Sequence, residues 1–239
     1  MTIDIEKIML SMHDEKQAVN LSRFFKTGKG QYGEGDRFLG IKVPQTRTLV
    51  KEYWKLCSLD DIGRLIASPW HEIRLFALLA LVQMFKHSKR DVTFQQQCVD
   101  FYLSHTQYIN NWDLVDLSCY ELLGTWLLDK DRSVLYDLAS NGKTIWEQRI
   151  GMVSCMQFLR NGQCDDALAI SRILLSHPHD LIHKAVGWLL REVGKHDARL
   201  LEDFLRQHIH EMSRTTLRYA IEKMPEHDRV YWMNFPKRV

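Results

Sequence analysis

Four cations and one carboxylate are the side chains in this sequence whose types and spacing suggest chemistry. Arg74, Arg149, Lys184 and Arg218 occupy the same point of a recurring phrase, with gaps (149 − 74 = 75, 184 − 149 = 35, 218 − 184 = 34) that describe one repeat unit, doubled at the first step. The phrases read Ile73-Arg74-Leu75-Phe76-Ala77, Gln148-Arg149-Ile150-Gly151-Met152, His183-Lys184-Ala185-Val186-Gly187 and Leu217-Arg218-Tyr219-Ala220-Ile221. In the space left by the doubled gap, the cation is replaced by Asn110-Asn111-Trp112-Asp113-Leu114-Val115-Asp116. One cation per unit at equivalent places forms a basic row that suits a phosphate backbone. The acidic interruption is where that row gives way to a carboxylate.

Aromatic rings accompany the charges. Trp112 and Asp116 are four residues apart, as are Lys184 and Trp188, so each pair shares one face of a helix. Trp146 with Arg149, and Trp70 with Arg74, repeat the arrangement in other units. Asp116 lies between Val115 and Leu117 beneath an indole, a setting that partly desolvates a carboxylate. Trp54, Trp126 and Trp232 read as core aromatics, because buried ring area is reason enough for their presence. Trp112 and Trp188 are set apart by their register with the cation row. The ordinary alternative is that these indoles also pack in the core and the charges are merely solvated.

These residues need helices to position them. Apolar side chains recur at three-and-four spacing, for example at Leu75, Leu78, Leu79, Val82 and Phe85, and alternating strand patterns are nearly absent. Breaks rich in Gly, Pro, Ser and Asn divide the pattern into helices over 4–25, 43–57, 59–66, 70–87, 91–104, 111–128, 131–139, 145–160, 165–175, 180–194, 198–209, 213–223 and 226–233. Ser58 and Asp61 form a capping box, and Asp165 or Asp166 is a first-turn acid. A purely helical period in the mid-thirties predicts an all-α fold: an α-solenoid of HEAT-like helical repeats with a concave basic groove. With no dividing linker, residues 1–239 read as one domain.

Bulk properties narrow the function classes. A chain of 239 residues with 45% apolar content has material for a sizeable core, burying roughly 70–75% of its extended surface. Net charge is +2, from 32 basic and 30 acidic residues, so a nucleic-acid surface must come from segregation of charge rather than excess. The acidic start, Met1 to Lys7, lacks the order of a secretion signal, and the longest apolar stretch, Leu75–Phe85, is far below the ~20 residues that span a bilayer. A cytoplasmic protein with no membrane contact is expected. Five cysteines at 57, 98, 119, 155 and 164, with no Cys-x-x-Cys pair, read as reduced thiols. His177, His179 and His183 lack a further ligand at suitable spacing, so neither a metal nor a cofactor is expected. Gly28-Lys29-Gly30-Gln31-Tyr32-Gly33 matches a dinucleotide fingerprint literally, but that fingerprint works only between a strand and a helix, and no strand pattern precedes it. The milder reading is a loop that turns Lys29 and Tyr32 toward nucleic acid.

Four segments carry a resemblance. Phe38-Leu39-Gly40-Ile41-Lys42-Val43-Pro44, Asn111-Trp112-Asp113-Leu114-Val115-Asp116, Gln148-Arg149 and Lys184-Ala185-Val186-Gly187-Trp188-Leu189-Leu190-Arg191-Glu192 resemble, in order, the motifs of the AlkD-type DNA alkylation repair proteins. Those proteins are HEAT-like-repeat DNA glycosylases that remove N3- and N7-alkylated purines. The resemblance implies that Trp112 and Trp188 pack against the sugar and backbone of the damaged nucleotide, that Asp116 stabilises the reacting centre, and that Arg149 holds nearby phosphate. Two positions depart from the family pattern: Asn111 stands where a second tryptophan is common, and Phe24 where a tyrosine on the first helix is expected.

An N3- or N7-alkylated purine is already cationic, so it leaves without protonation by a general acid. A fixed carboxylate such as Asp116 is then needed only to attract the oxocarbenium-like sugar and orient water, with the indoles as cation-attracting walls. The partner expected is double-stranded DNA containing alkylated bases, bound by a monomer through backbone shape, with Arg74, Arg149, Lys184, Arg191 and Arg218 as phosphate contacts and Phe24 nearby. The chief alternative is a catalytically silent HEAT-like module that binds DNA or a protein. A peptide-binding solenoid would be favoured if the cation row were spent on Glu72, Glu147 or Glu192.

Overall fold

The computed structural model describes residues 4–236. Among these the fold is all-α, and the β geometry recorded is an isolated bridge between Arg37 and Trp70. The chain forms two compact units, Met1–Ser118 and Cys119–Val239.

The first unit contains α1 (Ile5–Ser11), α2 (Glu15–Phe24), α3 (Val43–Tyr53), α4 (Leu59–Ile66), α5 (His71–His87), α6 (Val92–Ser104) and α7 (Trp112–Asp116). Its centre is α5, whose 17 residues are buried without interruption from His71 to Val82. A helix that is apolar on every side belongs in an interior, and α3, α4, α6 and α7 pack around it. The single helix expected over 4–25 is in fact two. The Asp14 carboxylate caps α2 by accepting from Gln17 N at 2.9 Å, while the Asp14 N–H donates to Leu39 O at 2.9 Å, which turns the chain between the helices. Gly40, at φ +89°, packs so closely on the Asp14 carbonyl that a side chain would be excluded on both counts. The Ser58/Asp61 capping box forms as expected, with Asp61 N donating to Ser58 Oγ at 3.1 Å and Ser58 N to the Asp61 carboxylate at 2.8 Å.

The helix expected over 111–128 is also divided. The Ser118 hydroxyl donates back to Leu114 O at 2.5 Å, and Ser118 N to Val115 O at 3.1 Å, so α7 tightens and stops after five residues.

The second unit opens with a π-helical turn, Tyr120–Gly124. It continues with α8 (Ser133–Asn141), α9 (Ile145–Val153), α10 (Met156–Arg160), α11 (Asp165–Leu174), α12 (Asp180–His196), α13 (Ala198–His208), α14 (Arg214–Ala220) and α15 (Glu226–Met233). Asp165 and Asp166 fall in the first turn of α11. The helix expected over 145–160 breaks at Ser154-Cys155, where Cys155 N turns to Met152 O at 3.2 Å in place of the i−4 carbonyl. Here α12 is central, with α9, α10, α11, α13 and α14 packed against it. Gly187 permits the tight approach of α14: a Cβ there would stand 2.6 Å from Thr216 O. The four cation phrases fall on α5, α9, α12 and α14, and the acidic interruption falls on α7. No helix among the described residues is long and apolar enough to cross a membrane.

Candidate functional site

The short helix α7 depends on its surroundings for its placement. Asn111 is fully buried in extended conformation, and its side-chain oxygen accepts from Trp112 N at 2.9 Å, starting the helix. The Trp112 indole, partly buried, stacks on Phe25 at 5.4 Å between centroids and 26° between planes. Phe25 stacks on Phe38 at 5.1 Å, and Phe38 on the His71 ring at 4.5 Å. Phe24 is 62% exposed and meets Trp112 edge-on at 6.0 Å, leaving an aromatic edge at the surface beside the indole.

Beneath this ladder lies a buried charge cluster. His71 Nε2 is 2.9 Å from the Asp113 carboxylate and His71 Nδ1 is 2.9 Å from that of Asp36. Arg74 pairs with the other oxygen of Asp36 and donates to Ser68 O at 2.8 Å and Asn110 Oδ1 at 3.0 Å. Burial by itself pushes His71 down, but Asp113 and then Asp36 more than offset it and raise its pKa to about 9. The ring is therefore an imidazolium at neutral pH. Burial pushes the Asp36 carboxyl up, yet His71 and then Arg74 hold it below the usual carboxylate range. Two carboxylates thus face two cations, which is how buried charge is tolerated. Asp113 also accepts from Leu114 N at 2.9 Å, so its carboxylate ties the first turn of α7 to α5.

Glu72, the neighbour of His71, is buried and accepts from the N–H groups of Leu39, Gly40 and Ile41 at 2.9, 2.8 and 3.1 Å. This fixes the Phe38–Ile41 segment that carries the ladder. The outcome of all this anchoring is Asp116, on the last turn of α7, partly exposed and one helical turn from Trp112.

In the second unit, Arg149 on α9 is buried, and its guanidinium donates to Leu181 O at 2.5 Å in the first turn of α12. Trp146, one turn earlier, is 7% exposed and belongs to the core. His177, His179 and His183 organise the approach to α12. His177 Nδ1 accepts from His179 N at 3.0 Å, and His179 Nδ1 accepts from Leu181 N at 3.1 Å. Desolvation is the chief influence holding both His177 and His179 below the ordinary histidine value, which suits their acceptor roles. Along α12, Lys184 pairs with Asp180 at 2.8 Å, and Trp188 is partly buried one turn on. Arg191 pairs with Glu222 and, at 3.5 Å, with Glu192. Arg218 on α14 is exposed.

A family model described as "DNA alkylation repair enzyme" matches residues 5–224, nearly the whole chain. The chain belongs to the DNA alkylation repair enzyme family. A solved structure, that of a predicted DNA alkylation repair enzyme from Enterococcus faecalis, is 18% identical, with coverage of 90% of this chain and 98% of that one and a TM-score of 0.69. At that identity the likeness concerns the fold alone. No curated protein matches the chain.

Within this family fold the expected site residues separate. Asp116, Trp112, Trp188 and Lys184 are partly accessible and Arg218 is exposed. Arg74 departs from the expected exposed basic row: the residue is 5% exposed, and its guanidinium is committed to Asp36, Ser68 and Asn110. Arg149 is shielded to the same degree. Arg191, outside the repeating cation row, is spent in part on Glu192, and Glu72 binds backbone amides rather than Arg74. Asn111, where the resemblance leads one to expect a second tryptophan, caps α7. Trp126 and Trp232 are core as expected, but Trp54 is only partly buried, beside His87 at 4.5 Å. The five cysteines are unbridged, and four are buried. The Gly-rich segment follows α2 rather than a strand, and Tyr32 Oη donates to Phe24 O at 3.4 Å.

Sequence reasoning missed His71 and Asp36. A signal existed: His71-Glu72-Ile73-Arg74 places three ionisable residues at the head of a helix that is otherwise apolar on every side. Charge in such a helix requires buried partners.

Proposed function

We propose that this chain is a DNA glycosylase that hydrolyses the N-glycosidic bond of cationic N3- or N7-alkylated purines in duplex DNA. The observation that carries this reading is Asp116: a partly exposed acidic residue on a five-residue helix held by a buried ion cluster and a stacked indole. A carboxylate held in this way needs no reorganisation as positive charge develops on the sugar, the condition under which electrostatic stabilisation is most effective. The leaving purine is already positive, so no proton donor is required. Trp112 supplies an indole face for the sugar, contributing roughly 0.5–2 kcal/mol according to its desolvation. In the second unit, Trp188 takes the corresponding packing role. Lys184 and Arg218 contact phosphate, and Arg149 serves as a fixed positive charge rather than a reaching arm. Recognition is of backbone shape rather than base sequence, by a monomer in the cytoplasm.

The test is to incubate the purified protein with methylated duplex and identify the bases set free by chromatography. Asp116→Asn should lower single-turnover release of 7-methylguanine by roughly 10²–10³-fold, the range for losing one preorganised stabilising group, with duplex affinity retained. Undiminished release by that variant would take catalysis away from Asp116. The missing hydroxyl at Phe24 favours one rival, a DNA-binding module without turnover. Tight duplex binding with no base released by the unaltered protein would establish it.

A further inference from the structure

The mechanism proposed above gives no separate role to His71. His71 is 2% exposed, so it cannot touch a nucleotide, yet both its ring nitrogens are committed. Asp36 and Asp113, its two partners, are 35 and 42 residues away in sequence. One lies in the segment after the Gly-rich loop and the other in α7, so a single ring joins three distant stretches of chain. The same ring is the inner end of the ladder that runs through Phe38 and Phe25 to the Trp112 indole.

We propose that His71 is a positioning residue for base release, setting Trp112 and Asp116 by holding α7 through Asp113 and by backing the aromatic stack on which Trp112 rests. The proposal rests on the role given to Asp116 above. A helix of five residues does not hold itself, because nucleation alone costs more than so few hydrogen bonds return. The buried Leu114 and Val115 attach α7 to the core, and the Asp113–His71 bond adds a directional restraint one turn before Asp116.

The geometry also requires a particular protonation state. Each ring nitrogen faces a carboxylate oxygen at 2.9 Å, so each must carry a hydrogen. A neutral ring would set a lone pair against one of the carboxylates and give up that bond. The charged groups facing His71 are Asp36 from the loop segment and Asp113 from α7, with Arg74 on its own helix paired to Asp36. Glu72, the adjacent residue on that helix, is engaged by the backbone amides of Leu39, Gly40 and Ile41. The remaining neighbours, Phe25 and Phe38, do not titrate. With the ring's pKa at about 9, deprotonation at alkaline pH should release one side of the link.

The experiment uses the full chain, His71→Gln and Asp113→Asn variants, and a duplex carrying a cationic methylpurine lesion whose uncatalysed release is measured at each pH and subtracted. Single-turnover release and duplex affinity are measured for each. At neutral pH, His71→Gln should lower the release rate by about tenfold or more, the scale of a small misplacement of a reacting group, while affinity changes by less than about threefold. The unaltered protein should lose rate as pH rises through about 9, and this limb should be absent in the variant. Protected ring N–H protons, seen by nitrogen-filtered NMR and lost in His71→Gln, should disappear with the same midpoint. Asp113→Asn changes no volume yet sets an amide N–H against either His71 or Leu114 N, so it should show the same split between rate and affinity. It decides the matter if His71→Gln fails to fold.

A folded variant with unchanged rate, a flat alkaline profile in the unaltered protein, or a proportional loss of rate and affinity would each overturn the positioning role. Absence of any release by the unaltered protein would instead overturn the glycosylase reading on which it rests.

Discussion

The two 17-residue helices at the centres of the two units, α5 and α12, carry the same cation phrase and treat it in opposite ways. On α5 every side is covered, so Arg74 is enclosed and matched by Asp36, Ser68 and Asn110. On α12, Ile182, Ala185, Val186, Leu189, Leu190 and Val193 are buried, while Lys184, Trp188 and Arg191 lie on partly exposed positions. Equal spacing in sequence therefore fixes where a side chain points from its helix axis but not what lies over it. Where something does, the charge becomes internal scaffolding, since an enclosed ion must be paired. On α12 the charges stay partly exposed and pair near the surface, Lys184 with Asp180 and Arg191 with Glu222 and Glu192.

The largest effect expected from this contrast is at Arg74. Arg74→Ala removes one of the two cations facing two buried carboxylates and should cost about 3–5 kcal/mol, the scale of breaking a buried pair. Lys184→Ala, which removes a partly exposed pair with Asp180, should cost about 1 kcal/mol or less. Urea unfolding of both variants measures the difference directly. Equal midpoints would mean that Arg74 is no more structural than Lys184.

A second, smaller contrast concerns glycine. Gly187 lies where α12 meets α14, and a Cβ would stand 2.6 Å from Thr216 O, a backbone atom that cannot move aside cheaply. Gly63 on α4 has Phe101 as its nearest neighbour, at 3.7 Å, which is ordinary contact. Gly187→Ala should therefore destabilise by about 1–3 kcal/mol. Gly63→Ala should stabilise by roughly 0.4–1 kcal/mol, because it restricts the unfolded chain without a clash. Thermal unfolding separates the two, and the same sign for both would show that the α12–α14 approach is looser than drawn.

Much of the helical framework was legible because it follows from periodicity and breaks. The Ser58/Asp61 cap, the extent of α4, and the placement of the cation phrases on α5, α9, α12 and α14 all follow from local pattern. The sequence failed wherever a polar bond, long-range or local, interrupted a continuous apolar period. The turn at Asp14 exists because Leu39, distant in sequence, takes its N–H, and α7 ends because Ser118 bonds back onto the helix. Site reading shows the same division. The register of Trp112, Asp116 and Trp188 on their helices could be read from spacing, whereas Asp36 and His71 acquire meaning only once the loop after α2 is laid against α5. The burial of Arg74 was illegible for the same reason, because nothing within its own phrase reveals the carboxylate 38 residues upstream.

The smallest effect tests the exposed end of the row. Arg218 differs from Arg74 in being open to solvent, so Arg218→Ala should leave stability within about 0.5 kcal/mol of the unaltered protein. If Arg218 contacts phosphate, removing it should flatten the dependence of duplex affinity on salt by about 0.9 in the logarithmic slope, one phosphate's share, whatever the base sequence. Arg191→Ala should have a weaker influence on that slope, since its charge is already offset by Glu222 and Glu192. Affinity measured at several salt concentrations gives both slopes. An unchanged slope for Arg218→Ala would place the exposed end of the row outside the interface, and exposure would then no longer mark which cations serve the partner.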